Sequence, residues 1–142
     1  MAIDIRPIED GDVDAVVALW HACGLTRPWN DPAADIAFCR NSREAALLVG
    51  LDRSTGVLNA TAMVGHDGHR AWAYYVAVAP STQSQGHGKA MMAAVEDWAK
   101  ARGVPKLELL IRNENVGVRR FYENLGYDVQ DVVVMARWLD GR

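Results

Sequence analysis

The sequence is short of the features that mark several protein classes. Its 142 residues include two cysteines, Cys23 and Cys39, with no CxxC spacing. A disulfide framework or a zinc site is therefore not expected, and a reduced, cytoplasmic protein is. No run approaches the ~18 consecutive apolar residues of a membrane helix, so no membrane partner is expected. The start, Met1-Ala2-Ile3-Asp4-Ile5-Arg6, lacks the basic-then-apolar pattern of a secretory leader. Basic side chains are the minority, 15 against 18 acidic, for a formal net charge of −3. That balance argues against a nucleic-acid partner held by bulk positive charge. There is no low-complexity tract, linker or internal repeat, and the length suits one domain over residues 1–142.

The hydrophobic share is 50%, enough for one core without covalent staples. Charge is uneven along the chain. Residues 1–70 hold 6 basic and 10 acidic side chains, against 9 and 8 in residues 71–142. Six cations (Lys100, Arg102, Lys106, Arg112, Arg119 and Arg120) fall between 98 and 120, which by itself describes a solvated surface.

Periodicity orders the elements. Ile3–Arg6 alternates like a strand closed by Pro7. Val13, Val16, Val17 and Trp20 share one helical face, with Asp10 or Asp12 to cap it and Gly24 to end it. Asn30-Asp31-Pro32 reads as cap and first-turn proline of a second helix reaching about Asn41. Three strand-like runs follow, at Ala45–Leu51, Val57–Val64 and Trp72–Val78. The Asp52–Gly56 loop and the Asp67-Gly68 turn separate them. Met91, Met92, Val95, Trp98 and Ala99 mark a long helix ended by Gly103 and Pro105. Leu107, Leu109 and Ile111 alternate as a strand. Asn115 can cap a last helix with Val118, Phe121, Tyr122 and Leu125 inward, and Val129–Trp138 reads as a final strand. The order β-α-α-β-β-β-α-β-α-β predicts an α/β (α+β) domain with a mixed, mostly antiparallel sheet flanked by helices. Short connections make the meander antiparallel, and the strand–helix–strand unit from Tyr75 to Ile111 makes its two strands parallel.

The chemistry-bearing stretch is Val76-Ala77-Val78-Ala79-Pro80-Ser81-Thr82-Gln83-Ser84-Gln85-Gly86-His87-Gly88-Lys89. A strand runs through a glycine-containing turn into a helix, whose first N–H groups and dipole favour an anion. Glycines let that anion approach the main chain. A dinucleotide fingerprint would need glycine at Met91. A P-loop would need glycine at Gln83 and Ser or Thr at Ala90.

Gln83-x-x-Gly86-x-Gly88 instead resembles motif A of the GNAT acetyltransferase superfamily, and Asn115-Val116-Gly117-Val118-Arg119-Arg120-Phe121-Tyr122-Glu123-Asn124-Leu125-Gly126-Tyr127 resembles its motif B. Val118 stands at the usual alanine and Tyr127 at the usual phenylalanine. The two motifs lie in family order and spacing, and the element order fits that fold along nearly the whole chain. The chain is thus similar to single-domain bacterial N-acetyltransferases.

The resemblance implies the acyl-CoA N-acyltransferase fold, acetyl-CoA as co-substrate, an amine acceptor and no metal. It implies main-chain pairing of Val76, Ala77 and Val78 with the pantetheine arm. The backbone N–H groups of Ser84, Gln85, Gly86, His87, Gly88 and Lys89 would cradle the pyrophosphate. Gln83 replaces the commoner arginine, removing one charge at the phosphate end. Asn115 would contact the arm, Arg119 (or Arg120) the nucleotide, and Tyr122 would be the general acid protonating the departing sulfur. Transfer would be direct, in a ternary complex, with Cys23 and Cys39 structural. No general base is assigned. Glu108, Asp31, His69, Asp67 and a relayed water are the alternatives, because the third meander strand carries no carboxylate. That absence also leaves open a non-catalytic acyl-CoA-binding module. Trp29, Asp31, Asp35 and Trp72 would form an aromatic-acidic acceptor pocket suited to a cation, with helix capping the alternative role for Asp31. Dimers are common among relatives, so a homodimer is left open.

Overall fold

A computed structural model describes residues 2–142. The chain divides into two compact units, Met1–Leu110 and Ile111–Arg142.

The first unit is built on a five-stranded sheet in the order β1-β2-β3-β4-β5, comprising β1 (Ile3–Pro7), β2 (Ala45–Asp52), β3 (Leu58–His66), β4 (Ala71–Val78) and β5 (Leu107–Leu109). The first four pair antiparallel, and β5 joins β4 parallel. Its helices are α1 (Val13–Ala22), α2 (Pro32–Arg40) and α3 (His87–Ala101). α1 follows a short 3-10 turn over Asp10–Asp12. There the Glu9 N–H donates to the Asp12 carboxylate, which also pairs with Arg6 at 2.6 Å. Asp31 caps α2: its carboxylate accepts from the N–H groups of Ala33 and Ala34, with Pro32 in the first turn.

β2 is buried through Leu47, Leu48, Val49 and Gly50, as expected of a strand covered on both faces. Leu47 and Val49 join the core formed with α1 and α2. Alternation turns Gly50 the other way, where a Cβ would stand 3.0 Å from both the Met91 sulfur of α3 and the Ile3 side chain. Gly50 is therefore a close-approach glycine, which its place in an apolar run did not signal.

The loop after β2 is organised by Asp52, only 3% exposed. Its carboxylate accepts from the Ser54 N–H, the Ser54 hydroxyl and the Thr55 N–H. Those bonds, the Ser54 hydroxyl foremost, pull its pKa down to about 2. Because the folded value lies below that of the unfolded chain, this contribution is present above the ordinary carboxylate pKa and is lost as pH falls from about 4 towards 2. Asp52→Ala is expected to lower Tm at pH 7 by several degrees. The deficit against wild type should narrow between pH 4 and 2, as followed by circular dichroism melts.

The second unit carries α4 (Val116–Asn124). Asn115 caps it, its side-chain oxygen accepting from the Val118 N–H, and Gly126 ends it with φ +96°. Tyr122 is buried, whereas Val118, expected inward, is exposed. The order of elements follows expectation through α4. The strand expected at Val129–Trp138 does not form, and those residues are exposed coil. Alternating valines supply strand propensity, but a ladder needs a second strand, and none is paired with this segment among the described residues.

Candidate active site

β4 is the strand around which the site is built. Its pairing with β5 covers only Ala71–Leu107, Trp72–Glu108 and Ala73–Leu109. From Tyr74 to Val78 it runs on with β3 alone, where Ala77 faces Thr61 and Val78 faces Ala60. Main-chain groups on its other edge, the Val78 carbonyl apart, are thus left for a ligand or solvent among the described residues. Val76, Ala77 and Val78 all lie on this stretch. Ala77 is buried in the core with α1 and α2, while Val76 and Val78 are half-buried.

The parting coincides with an irregularity in β4. Tyr75 has φ +51°, a left-handed conformation costly for an aromatic residue, and the β3–β4 register shifts between Thr61 and Met63. Tertiary contacts hold it there. The Tyr75 ring stacks on Trp20 at 3.7 Å and 9°. The Trp20 indole N–H donates to the Thr61 hydroxyl at 2.9 Å, and that hydroxyl donates to the Tyr75 carbonyl at 2.8 Å. The Tyr75 phenol donates to Asp35 of α2 at 2.7 Å. Burial, with Asp35 as its acceptor and neighbouring charge, pushes the Tyr75 pKa far up.

Beyond β4, Pro80–Thr82 form a 3-10 turn and the chain enters α3 through Ser84 at φ +66° and Gly86 at φ +82°. Left-handed residues in such a turn aim successive N–H groups into one concavity suited to an anion. The start of α3 has no side-chain cap and no acidic residue in its first turn, so nothing on the helix itself neutralises the positive end of its dipole. Ser84, Gln85, Gly86 and Lys89 are exposed, Gly88 half-buried, and the His87 side chain is buried. The Gln83 amide donates to the Val78 carbonyl at 3.4 Å, tying the turn back to β4. The Cys23 thiol donates to the same carbonyl at 3.3 Å. Cys23, distant in sequence, is thus adjacent in space to this strand, and burial pushes its pKa up, disfavouring the reactive thiolate.

A cavity of about 420 Å³ lies in the first unit between α2 and the ends of β2, β3 and β4. Asp35 and Trp72 line it, as expected. Trp29 and Asp31 do not, Asp31 being occupied as the α2 cap. In their place the structure brings in Glu44, His66, Tyr74 and Tyr75. The sequence signal was indirect. Antiparallel pairing sets Gly65 opposite both Ala45 and Trp72, so the ends of three strands converge on one mouth. His66 and Glu44 are paired at 2.6 Å.

Three of the residues weighed as general bases are engaged elsewhere. Asp31 caps α2. Asp67 accepts from the N–H groups of Arg70 and His69, which hold its pKa below the usual carboxylate range. Glu108 stands 3.4 Å from Lys106 and 3.9 Å from Arg70. His69 is exposed on the hairpin.

In the second unit, the Tyr122 ring meets Phe121 and Tyr127 edge-on at 4.9 and 5.8 Å. Burial pushes its pKa up to about 12. Asn115 caps α4 and Arg119 lies on its first turn, exposed and 3.9 Å from Glu123. Arg102 lies over the Trp98 ring at 3.8 Å. Among the described residues, no group of three or more His, Cys, Asp or Glu is placed to hold a metal. No described helix is long and apolar enough to cross a membrane.

A model of the acetyltransferase (GNAT) family matches residues 14–127. An acetyltransferase of Yersinia enterocolitica is 36% identical over 137 residues, covering 96% of each chain. One of Sodalis glossinidius is 38% identical over 133 residues, covering 94% of this chain and 92% of its own. Among solved structures, the aminoglycoside N-acetyltransferase AAC(6')-Iy in complex with a CoA-based bisubstrate analogue is similar at a TM-score of 0.83. It is 18% identical, with 97% of this chain and 99% of that one covered; at that identity the likeness is one of fold.

Proposed function

The chain belongs to the acetyltransferase (GNAT) family, and we propose that it transfers the acetyl group of acetyl-CoA to a primary amine by direct attack in a ternary complex. Both units act as one catalytic domain in this reading. The observation that carries it is the pairing of a free β4 edge from Tyr74 to Val78 with an uncapped α3 start immediately downstream. One can pair with an amide-bearing arm and the other can receive a pyrophosphate.

In this mechanism the main chain of Val76, Ala77 and Val78 aligns the pantetheine. Gln83 and the N–H groups of Ser84, Gln85, Gly86, His87, Gly88 and Lys89 hold the phosphates, and Asn115 and Arg119 contact the cofactor from α4. The neutral amine attacks the thioester carbonyl, and a main-chain N–H of β4 stabilises the oxyanion. The C–S bond breaks and Tyr122 donates a proton to the sulfur. The amine proton leaves to water, and water returns a proton to the Tyr122 phenolate, restoring the acid. Both cysteines stay outside the covalent chemistry.

Gly86→Val is the first test. A β-branched residue is strained at φ +82°, so the turn would relax and acetyl-CoA affinity should fall about 10- to 100-fold. Isothermal titration against acetyl-CoA reads this directly, and an unchanged Kd would refute the cradle. Thiol release with an amine panel then tests transfer. Tight binding without turnover on any amine would leave only a binding module.

A further inference from the structure

We propose that the acceptor is a small diamine-type cation, with a second ammonium group seated in the cavity between α2 and the β2–β4 strand ends while the reacting amine lies at the β4 edge. The inference rests on the acetyl-transfer reading and adds the substrate class.

At about 420 Å³ the cavity falls within the ~300–1,000 Å³ range of small-molecule sites. Its lining carries three carboxylates, Asp35, Glu44 and Asp67, and no lysine or arginine; Asp67 adds charge only at the rim, since one of its oxygens already accepts from the His69 and Arg70 N–H groups. Its one basic side chain, His66, is tied to Glu44. Trp72, Tyr74 and Tyr75 add aromatic faces, which attract ammonium groups and cover alkyl stems. Asp35 accepts the Tyr75 hydroxyl through one oxygen, which fixes its orientation. A carboxylate offers about four lone-pair sites, so capacity for a cation remains.

The position of this charge distinguishes one amine from two. A carboxylate beside an ammonium raises its pKa and holds it protonated. A protonated nitrogen has no lone pair to attack a thioester. Three carboxylates around the reacting nitrogen would therefore oppose the reaction, whereas around a second, non-reacting ammonium they only bind. Tyr74 and Tyr75 line the cavity and directly follow the last β4–β5 pair, so its lining reaches the point where the β4 edge becomes free. The reaction balances as acetyl-CoA plus the doubly protonated diamine giving the mono-N-acetyl ammonium, CoA-SH and one proton. The lone pair freed by that proton forms the C–N bond as the C–S bond breaks.

The test compares 1,4-diaminobutane with butylamine, which has the same chain and one charge fewer, on the full protein. With acetyl-CoA present, kcat/KM should favour the diamine by at least about tenfold. Asp35→Asn and Glu44→Gln should shrink that ratio towards one, while Asp14→Asn, exposed on α1, should keep it. Glu44→Gln carries the test if Asp35→Asn melts early. Equal use of both amines, or a tenfold preference for a peptide amine, overturns the diamine assignment and leaves acetyl transfer standing. Calorimetric titration of the protein alone with each amine separates the two readings. Diamine-selective binding weakened by Asp35→Asn supports the cavity even if acetyl-CoA does not bind, a result that would instead remove the transfer reading. No selectivity in that titration overturns the cavity assignment whatever the turnover.

Discussion

Tyr122→Phe is expected to lower kcat about a hundredfold, the lower end of what a positioned acid contributes, with little change in acetyl-CoA Kd. Phenylalanine keeps the ring that meets Phe121 and Tyr127 edge-on, so packing is conserved and loss of the hydroxyl is isolated. The burial that raises the phenol to about 12 sets the pH behaviour. A group that keeps its proton to pH 12 is in its acid form throughout the working range. An alkaline fall in wild-type rate below pH 10 would therefore belong to another group. The folded pKa also lies above the ~10 of an unfolded tyrosine. Its contribution to stability is thus fully present below pH 10 and is lost as pH rises towards 12. Tyr122→Phe should remove part of that alkaline loss, giving a second readout independent of turnover. An unchanged kcat would assign Tyr122 to packing alone.

Trp20→Ala should destabilise the protein by about 3–5 kcal/mol, the usual range for deleting a large buried aromatic. Trp20 is wholly buried, stacked on Tyr75 and hydrogen-bonded to Thr61. Truncation empties the space under the tyrosine ring and removes the donor to the Thr61 hydroxyl. The left-handed Tyr75 then loses a main support, against a backbone strain of roughly 1–3 kcal/mol. Acetyl transfer should therefore fall further than stability alone explains, measured at a temperature where the variant is folded. Urea denaturation would show a lower midpoint at unchanged slope. Trp20→Phe keeps most of the stack and loses the hydrogen bond, so it should cost about 1–3 kcal/mol. A loss below 1 kcal/mol for the alanine variant would show that the site had collapsed without penalty.

Much of the architecture was legible because it depends on local patterning. The 3.6-residue spacing of Val13, Val16, Val17 and Trp20, the Asp31-Pro32 start and the Asp67-Gly68 turn each encode conformation within a few residues. The turn at Gly86 was legible for the same reason, since its left-handed φ favours glycine. Val129–Trp138 was misread because strand propensity is local and a ladder is not. Gly50 was missed because its need for a bare Cα comes from Met91, forty-one positions along the chain.

The sequence alone determined the element order through α4, the glycine turn at the head of α3 and the motifs that identify the family, all of which are short-range. Only the tertiary structure decided where β4 parts from β5, that Tyr75 is held left-handed there by Trp20, Thr61 and Asp35, and that Glu44 and His66 join Asp35 and Trp72 around one cavity. Those facts depend on strand register and on side chains meeting across 14 to 55 residues, in contacts that no local periodicity records.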